Sequence, residues 1–129
     1  MTTLKKMLPL LAFVLCLASC GGKQEEPVEE PFHPYGFDES KYIQEHDVVK
    51  NGETFTTLLR GLGFSAVDAY EMTQMCDTVF DVRKLRAGNR YATYYSGDSV
   101  SRRLEYLVYE QNRIRSTIFK CADSLAVWN

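Results

Sequence analysis

The sequence contains four cysteines and two histidines, the residue types best suited to bind a metal ion or to take part in a nucleophilic reaction. A catalytic zinc ion needs about three protein ligands, usually histidines with a carboxylate or thiolate. Four residues after His33 and His46 come Phe37 and Lys50, so neither histidine begins a His-x-x-x-Asp pair, and no His-x-His occurs. We interpret both histidines as surface residues. The sequence therefore predicts no catalytic residue, no metal site and no cofactor.

Cys20 ends the most specific signal in the chain. Lys5 and Lys6 precede an apolar run, Met7 to Leu17, which is too short for a spanning helix of about 20 residues. The sequence Leu17-Ala18-Ser19-Cys20 resembles the lipobox of bacterial lipoproteins. This resemblance implies cleavage before Cys20 and lipidation of its thiol, so that the chain is tethered to the cell envelope and does not span it. The alternative is an ordinary signal peptide in which a cysteine happens to fall here.

Acidic residues and prolines dominate residues 20–45, which we interpret as the lipidated cysteine followed by a linker. The acidic residues are Glu25, Glu26, Glu29, Glu30, Asp38, Glu39 and Glu45, and the prolines are Pro27, Pro31 and Pro34. Proline blocks helix and ladder formation, and like charges extend a chain. No Asp follows Cys20, so the commonest inner-membrane retention signal of enteric bacteria is missing. We expect a tether in the outer membrane, on its periplasmic or surface side.

The elements that position any site must come from the remaining residues. The chain has 129 residues, of which 45% are hydrophobic and 25% charged, with a net charge of −2. This composition is typical of one small globular domain, and it lacks the basic footprint of a nucleic-acid-binding protein. The folded part is expected to begin near His46.

A first short strand at His46 is predicted to end in the Asn51-Gly52 turn, because Asn-Gly is a strong turn signal. A helix follows, with Thr54 as its expected N-cap and Gly61 and Gly63 at its end. Its apolar residues recur at i, i+3, i+4 and i+7: Phe55, Leu58, Leu59 and Leu62.

A second helix is predicted from Ser65, whose hydroxyl is better explained as a cap than as a nucleophile. Asp68, three residues later, completes a variant of the capping box. The helix is expected to end between Cys76 and Val79. Three larger apolar residues can share one of its faces: Val67, Tyr70 and Met75.

Four further runs have the composition of strands: Arg90 to Tyr95, Arg103 to Glu110, Arg113 to Lys120 and Cys121 to Trp128. Gln111-Asn112 is predicted to be a hairpin turn, with Ile114 and Ile118 on one side of the strand that follows it. The predicted class is α+β, a strand-helix-helix-strand unit followed by antiparallel strands.

Strand, helix, helix, strand is the order of a LysM module, and several ordered motifs carry that resemblance. They are Gly52-Glu53-Thr54-Phe55, Gly63-Phe64-Ser65 and Leu85-Arg86-Ala87-Gly88-Asn89-Arg90-Tyr91. Together with Leu104-Glu105-Tyr106 they resemble the N-terminal region of Gram-negative peptidoglycan endopeptidases of the lysostaphin or LytM type. Ala87 departs from the usual proline of the LysM ending. The resemblance divides the chain into a signal peptide (1–19), linker (20–45), LysM-like subdomain (46–95) and β extension (96–129).

The resemblance also implies a shallow groove for N-acetylglucosamine chains between two loops. The matching residues are Gly52, Glu53, Thr54 and Phe55 after the first strand, and Thr78, Val79 and Phe80 after the second helix. Phe55 belongs to the helix stripe, so we expect it in the core. For Phe80 both a sugar-stacking position and a core position stay open.

Three groups of residues outside this groove leave alternatives open. In an exported protein Cys76 and Cys121 can form a disulfide, which would stabilise the fold by about 4 kcal/mol, or remain buried thiols. Five tyrosines can stack on sugars or simply pack across strands: Tyr91, Tyr94, Tyr95, Tyr106 and Tyr109. Arg83, Lys84, Arg86 and Arg90 can contact acidic muropeptides or form a solvated turn.

The sequence thus favours a non-catalytic targeting or inhibitory module of a zinc endopeptidase, whose peptidase domain is absent from this chain. Its expected partners are peptidoglycan or a peptidase domain, and a membrane through the lipid. The apolar run that ends at Asn129 suggests a truncated gene or fragment. The alternatives are a stand-alone peptidoglycan-binding lipoprotein and a protein-interaction module without affinity for glycan.

Overall fold

The computed structural model of the protein describes Pro27 and residues 29–129. Cys20 and the signal peptide lie outside the described residues, so their interpretation stays a prediction. The chain divides into Met1–Phe32 and His33–Asn129, and the second unit carries all the elements named below. None of the described helices is long and apolar enough to cross a bilayer.

An antiparallel sheet with two helices makes up the unit His33–Asn129. In chain order its elements are β1 (Ile43–Val48), α1 (Phe55–Gly61), α2 (Ala66–Cys76), β2 (Arg90–Gly97), β3 (Arg102–Glu110), β4 (Ser116–Lys120) and β5 (Ala126–Trp128). Single 3₁₀ turns occur at Glu39–Lys41 and Val82–Lys84. The strands lie in sequential order, and both helices fall between β1 and its neighbour β2. The predicted α+β class is confirmed.

Helix α1 begins where the sequence places its cap. The Thr54 hydroxyl accepts a hydrogen bond from the Thr57 N–H at 3.2 Å, and the Thr57 hydroxyl accepts one from the Thr54 N–H at 2.8 Å. The reciprocal pair satisfies two backbone donors that the first turn leaves free. At the other end Gly63 takes a φ of +103°, and the Phe64 N–H returns to the Leu59 carbonyl at 3.0 Å. Gly63 thus allows the chain to turn directly into α2.

The Ser65 cap of helix α2 is confirmed, since its hydroxyl accepts the Asp68 N–H at 3.1 Å, but the Asp68 side chain does not return a bond to Ser65 to complete the predicted capping box. Its buried face is made by Ala69, Met72 and Cys76. The larger apolar residues lie elsewhere and are exposed: Val67, Tyr70 and Met75. The small Ala69 lets the helix approach its neighbours closely, and the side of the helix that faces solvent carries polar residues beside these three apolar ones.

Both helices pack on one face of the sheet. Phe55, Leu59 and Met72 from the helices meet the inner side chains of the strands. The sheet residues of this cluster are Tyr91, Leu107, Tyr109 and Phe119. Burial of these apolar residues removes a large area from water, which is the main favourable contribution to folding. The turns before α1 and after α2 are held at the edge of this core.

The opposite face of the sheet is covered by the N-terminal segment of the unit, residues 33–42. The Phe37 ring stacks on Tyr106 with centroids 3.9 Å apart and an interplanar angle of 3°, and it meets Tyr94 edge-on at 4.9 Å. The indole Nε1 of Trp128 donates to the Tyr35 carbonyl at 3.0 Å. A second hydrophobic cluster therefore joins this segment to the strands.

The linker predicted for residues 20–45 is consequently too long. Its last part belongs to the folded unit, because Phe37 is buried and β1 starts at Ile43. Charges and prolines dominate the local composition, whereas the strand residues that Phe37 packs against, Tyr94 and Tyr106, lie more than fifty residues further along the chain. Local composition cannot reveal such a contact.

The β3–β4 connection also differs from the predicted two-residue turn. The Gln111 N–H donates to the Arg115 carbonyl at 2.9 Å, and β4 begins only at Ser116. Ile114 therefore lies in the turn and is exposed, while Ile118 is buried in the sheet. Strand β5 is likewise shorter than the predicted run, since it starts at Ala126.

Candidate functional site

The turn between β1 and α1 is tied to the turn that precedes β2. The Val49 N–H donates to the Asn89 carbonyl at 2.9 Å, and the Gly88 N–H donates to the Val49 carbonyl at 2.8 Å. Gly52 takes a φ of +77°, a conformation that L side chains rarely adopt. The Glu53 N–H closes this turn on the Lys50 carbonyl at 3.1 Å. These bonds give the first wall of the predicted groove a defined shape.

A shallow groove of about 250 Å³ follows this turn. One wall consists of residues 53–56, and the other of Val82, Arg83 and Leu85 in and after the second 3₁₀ turn. Glu53 and Thr54 therefore line a groove as the resemblance implies, but Gly52 does not, and Val82, Arg83 and Leu85 stand where the resemblance implies Val79 and Phe80. The Arg83 side chain is exposed, and its Nε donates to Asp81 Oδ1 at 3.1 Å. The Val79 carbonyl instead accepts from the Asn129 amide at 3.0 Å.

Phe80 is a core residue, so the sugar-stacking alternative is wrong. It is only 5% exposed, and its ring lies 5.4 Å from Tyr109 and 6.0 Å from Phe55 between centroids. The Phe80 N–H reaches the Cys76 carbonyl at 2.9 Å, which winds the chain once more after α2 and turns the ring inward. Phe55 lies in the same cluster, as expected.

Cys76 and Cys121 are free thiols in the structure. The Cys76 thiol donates to the Met72 carbonyl at 3.1 Å and the Cys121 thiol to the Phe119 carbonyl at 3.3 Å. Burial raises the pKa of each thiol to about 12, because the thiolate loses its hydration. Of the two alternatives, the structure has the unlinked thiols, and their raised pKa makes them poor nucleophiles.

The tyrosines pack across strands and offer no open ring face. Tyr91, Tyr94, Tyr95 and Tyr109 are buried, and Tyr106 is half-buried beneath Phe37. Burial raises the pKa of Tyr91 to about 12, and the neighbouring carboxylates of Asp47 and Glu53 add to the shift. The hydroxyl of Tyr94 donates to Glu39 Oε1 at 2.6 Å. The five rings are part of the fold and not a sugar platform.

A cavity of about 550 Å³ lies between the α1–α2 turn and the β2–β3 hairpin, and the sequence does not predict it. The guanidinium of Arg102 lies 4.1 Å from the centroid of the Tyr95 ring and forms an ion pair with Glu45. Arg103 pairs with Glu105 at 3.0 Å. The cations that line this cavity are therefore already paired with carboxylates. The cavity depends on three elements that are distant in sequence, so no local pattern could reveal it.

Neither His33 nor His46 lines the groove or the 550 Å³ cavity. His46 is exposed on β1, and the His33 carbonyl accepts the Gly36 N–H at 3.0 Å. Among Pro27 and residues 29–129, no three His, Cys, Asp or Glu side chains are grouped so that they could hold a metal ion.

Comparison of the chain with protein-family models, with curated proteins and with solved structures finds no match.

The groove formed by residues 53–56 and by Val82, Arg83 and Leu85 is the candidate site, because both its geometry and the sequence motifs favour it. It offers one carboxylate, threonine hydroxyls, an exposed guanidinium and the apolar side chains of Val82 and Leu85.

Proposed function

We propose that this protein is a non-catalytic module that binds peptidoglycan strands at the cell envelope. The chain resembles the N-terminal region of lysostaphin- and LytM-type endopeptidases, so we expect the module to target such an enzyme to the cell wall. The observation that carries the proposal is the groove between the β1–α1 turn and the Val82–Lys84 turn. It lies between the same two connections as the groove that the LysM resemblance implies, in a unit with the order β1-α1-α2-β2.

The chemistry of the groove supports a glycan ligand. A pyranose ring has apolar C–H faces and a rim of hydroxyl and acetamido groups. Val82 and Leu85 are half-buried and present carbon to the groove, while the hydroxyl of Thr56 and the guanidinium of Arg83 are exposed beside them. Asp81 accepts two hydrogen bonds from the Arg83 guanidinium, which limits the number of rotamers that binding must restrict.

Sedimentation of residues 21–129 with purified peptidoglycan sacculi tests the proposal. Arg83→Ala removes a charge-assisted hydrogen bond of about 1.5 kcal/mol and should lower retention about tenfold. Arg60→Ala is the matched control, because Arg60 is an exposed arginine at the end of α1, outside the groove. Both variants should keep the melting temperature of the unmodified protein. Equal retention of the two variants, or no retention of the unmodified protein, would refute glycan binding in this groove.

Three exposed apolar side chains on α2 favour a second candidate, an inhibitory module that covers a peptidase domain. Val67, Tyr70 and Met75 are large apolar side chains that solvent reaches. A LytM-type peptidase domain encoded downstream in the same gene is the occupant that the resemblance implies. A His-x-x-x-Asp and a His-x-His in frame within about 150 residues, the size of one domain, would support this candidate. A stop codon without these motifs would leave the stand-alone lipoprotein.

A further inference from the structure

The β3–β4 turn projects an isoleucine between two arginines at one end of the sheet. Ile114 is 98% exposed, and Arg113 and Arg115 on either side of it are exposed as well. The Asn112 side chain fixes this turn, since its Oδ1 accepts the N–H groups of Ile114 and Arg115 at 2.8 and 2.9 Å. The turn therefore holds a large apolar side chain almost fully in water.

The turn before β2 adds further cations at this end. We define the basic tip by five residues: Arg86, Arg90, Arg113, Ile114 and Arg115. Arg90 and Arg113 line one cavity of about 370 Å³, and the Asn89 amide that lies between the two turns donates to the Gln111 carbonyl at 3.3 Å. Within the described part of the chain, none of the four arginines of the tip forms an ion pair. Glu110 is the carboxylate that lines the same cavity.

The chain enters the folded unit beside the basic tip. Pro34 and Tyr35 line a cavity together with Arg113 and Ile114. Residues 21–32 separate the predicted lipidation site, Cys20, from the first residue of the unit, His33. Twelve extended residues span at most about 40 Å, so an anchor at Cys20 keeps this end within that distance of the bilayer.

We infer that the basic tip docks on a membrane surface that carries anionic phospholipid headgroups. The arginines pair with lipid phosphates, and Ile114 enters the boundary between headgroups and acyl chains, where its side chain leaves water. A carboxylate-bearing polymer would satisfy the arginines but offers nothing to Ile114. The inference uses the envelope location in the proposed function, whereas it does not depend on glycan binding in the groove.

Co-sedimentation of residues 21–129 with lipid vesicles tests the inference without the anchor. The vesicles contain either phosphatidylcholine alone or equal parts of phosphatidylcholine and phosphatidylglycerol. The protein should bind the anionic vesicles, and added salt should release it. Arg113→Gln with Arg115→Gln should weaken binding about thirtyfold, at about fivefold for each cation near the surface. Ile114→Ser should weaken it roughly tenfold through lost apolar burial.

Matched variants outside the basic tip provide the control. Val100 is 93% exposed in the β2–β3 turn, where its neighbours are serines, so Val100→Ser repeats the loss of an exposed apolar side chain without flanking cations. Arg60→Gln repeats the loss of an exposed arginine. Both should bind anionic vesicles like the unmodified protein. Equal weakening by the control variants, absence of vesicle binding, or retention on sacculi through Arg113 and Arg115 instead of on vesicles would overturn the inference. Retention on sacculi that requires only Arg83 would leave it intact.

Discussion

Replacement of Phe37 by alanine tests whether the segment before β1 is a structural part of the unit. Phe37 is 6% exposed, stacks on Tyr106 and contacts Tyr42 and Tyr94 edge-on, with centroids 5.7 and 4.9 Å away. Truncation of a buried phenylalanine destabilises a protein by about 3 to 5 kcal/mol, through lost transfer free energy and the cavity left behind. In a unit of this size, a loss of 3 kcal/mol lowers the melting temperature by roughly 12 °C or more.

Urea denaturation of residues 21–129, monitored by far-ultraviolet circular dichroism, measures this loss in the free energy of unfolding. The matched control is Phe32→Ala, the same truncation five residues upstream at a side chain that is 87% exposed. It should change the free energy of unfolding by less than about 0.5 kcal/mol. If Phe37→Ala and Phe32→Ala have the same small effect, residues 33–42 are a linker after all, and the second hydrophobic cluster does not contribute to stability.

Four further predictions follow from single sites. Cys20→Ala should abolish incorporation of labelled palmitate in the producing cell, and equal label in both forms would contradict the lipoprotein interpretation. Phe80→Ala should lower the free energy of unfolding by about 3 to 5 kcal/mol, and an unchanged melting temperature would show that its ring is dispensable. Cys76 and Cys121 should react with a thiol reagent slowly at neutral pH, and reductant should leave the melting temperature unchanged, whereas a drop would indicate a disulfide. Because the pKa of Tyr91 is raised, the folded state keeps the phenol proton to a higher pH than the unfolded state does. The contribution of Tyr91 to the free energy of unfolding should therefore be fully present below about pH 10 and decline toward pH 12. Tyr91→Phe should reduce that decline in melting temperatures measured across this pH range.

Local signals predict the helices correctly because the interactions that start and end them are local. Thr54 and Ser65 cap through bonds to residues three positions away, and Gly63 supplies the positive φ between the helices. The Asn51-Gly52 turn is found as predicted for the same reason. These features need no contact from elsewhere in the chain.

The candidate site was predicted in part. Glu53 and Thr54 line the groove because they follow directly from the turn and the cap. The LysM resemblance places the opposite wall at Thr78, Val79 and Phe80, directly after the second helix, and no local pattern marks where the chain crosses the core. The position of the aromatic rings beneath it draws Phe80 inward and leaves Val82 and Leu85 to form the wall.

The amino-acid sequence by itself contains the lipobox-like Cys20 motif, the helix caps and the Asn51-Gly52 turn, because each depends on neighbours within a few residues, and its alternating patterns indicate the α+β class. Only the tertiary structure decides that Phe37 covers the sheet, that both thiols stay unlinked, and that Arg90 and Arg113 line one cavity. Those outcomes depend on pairs of residues far apart in the chain, whose approach is set by how the sheet and helices exclude water together.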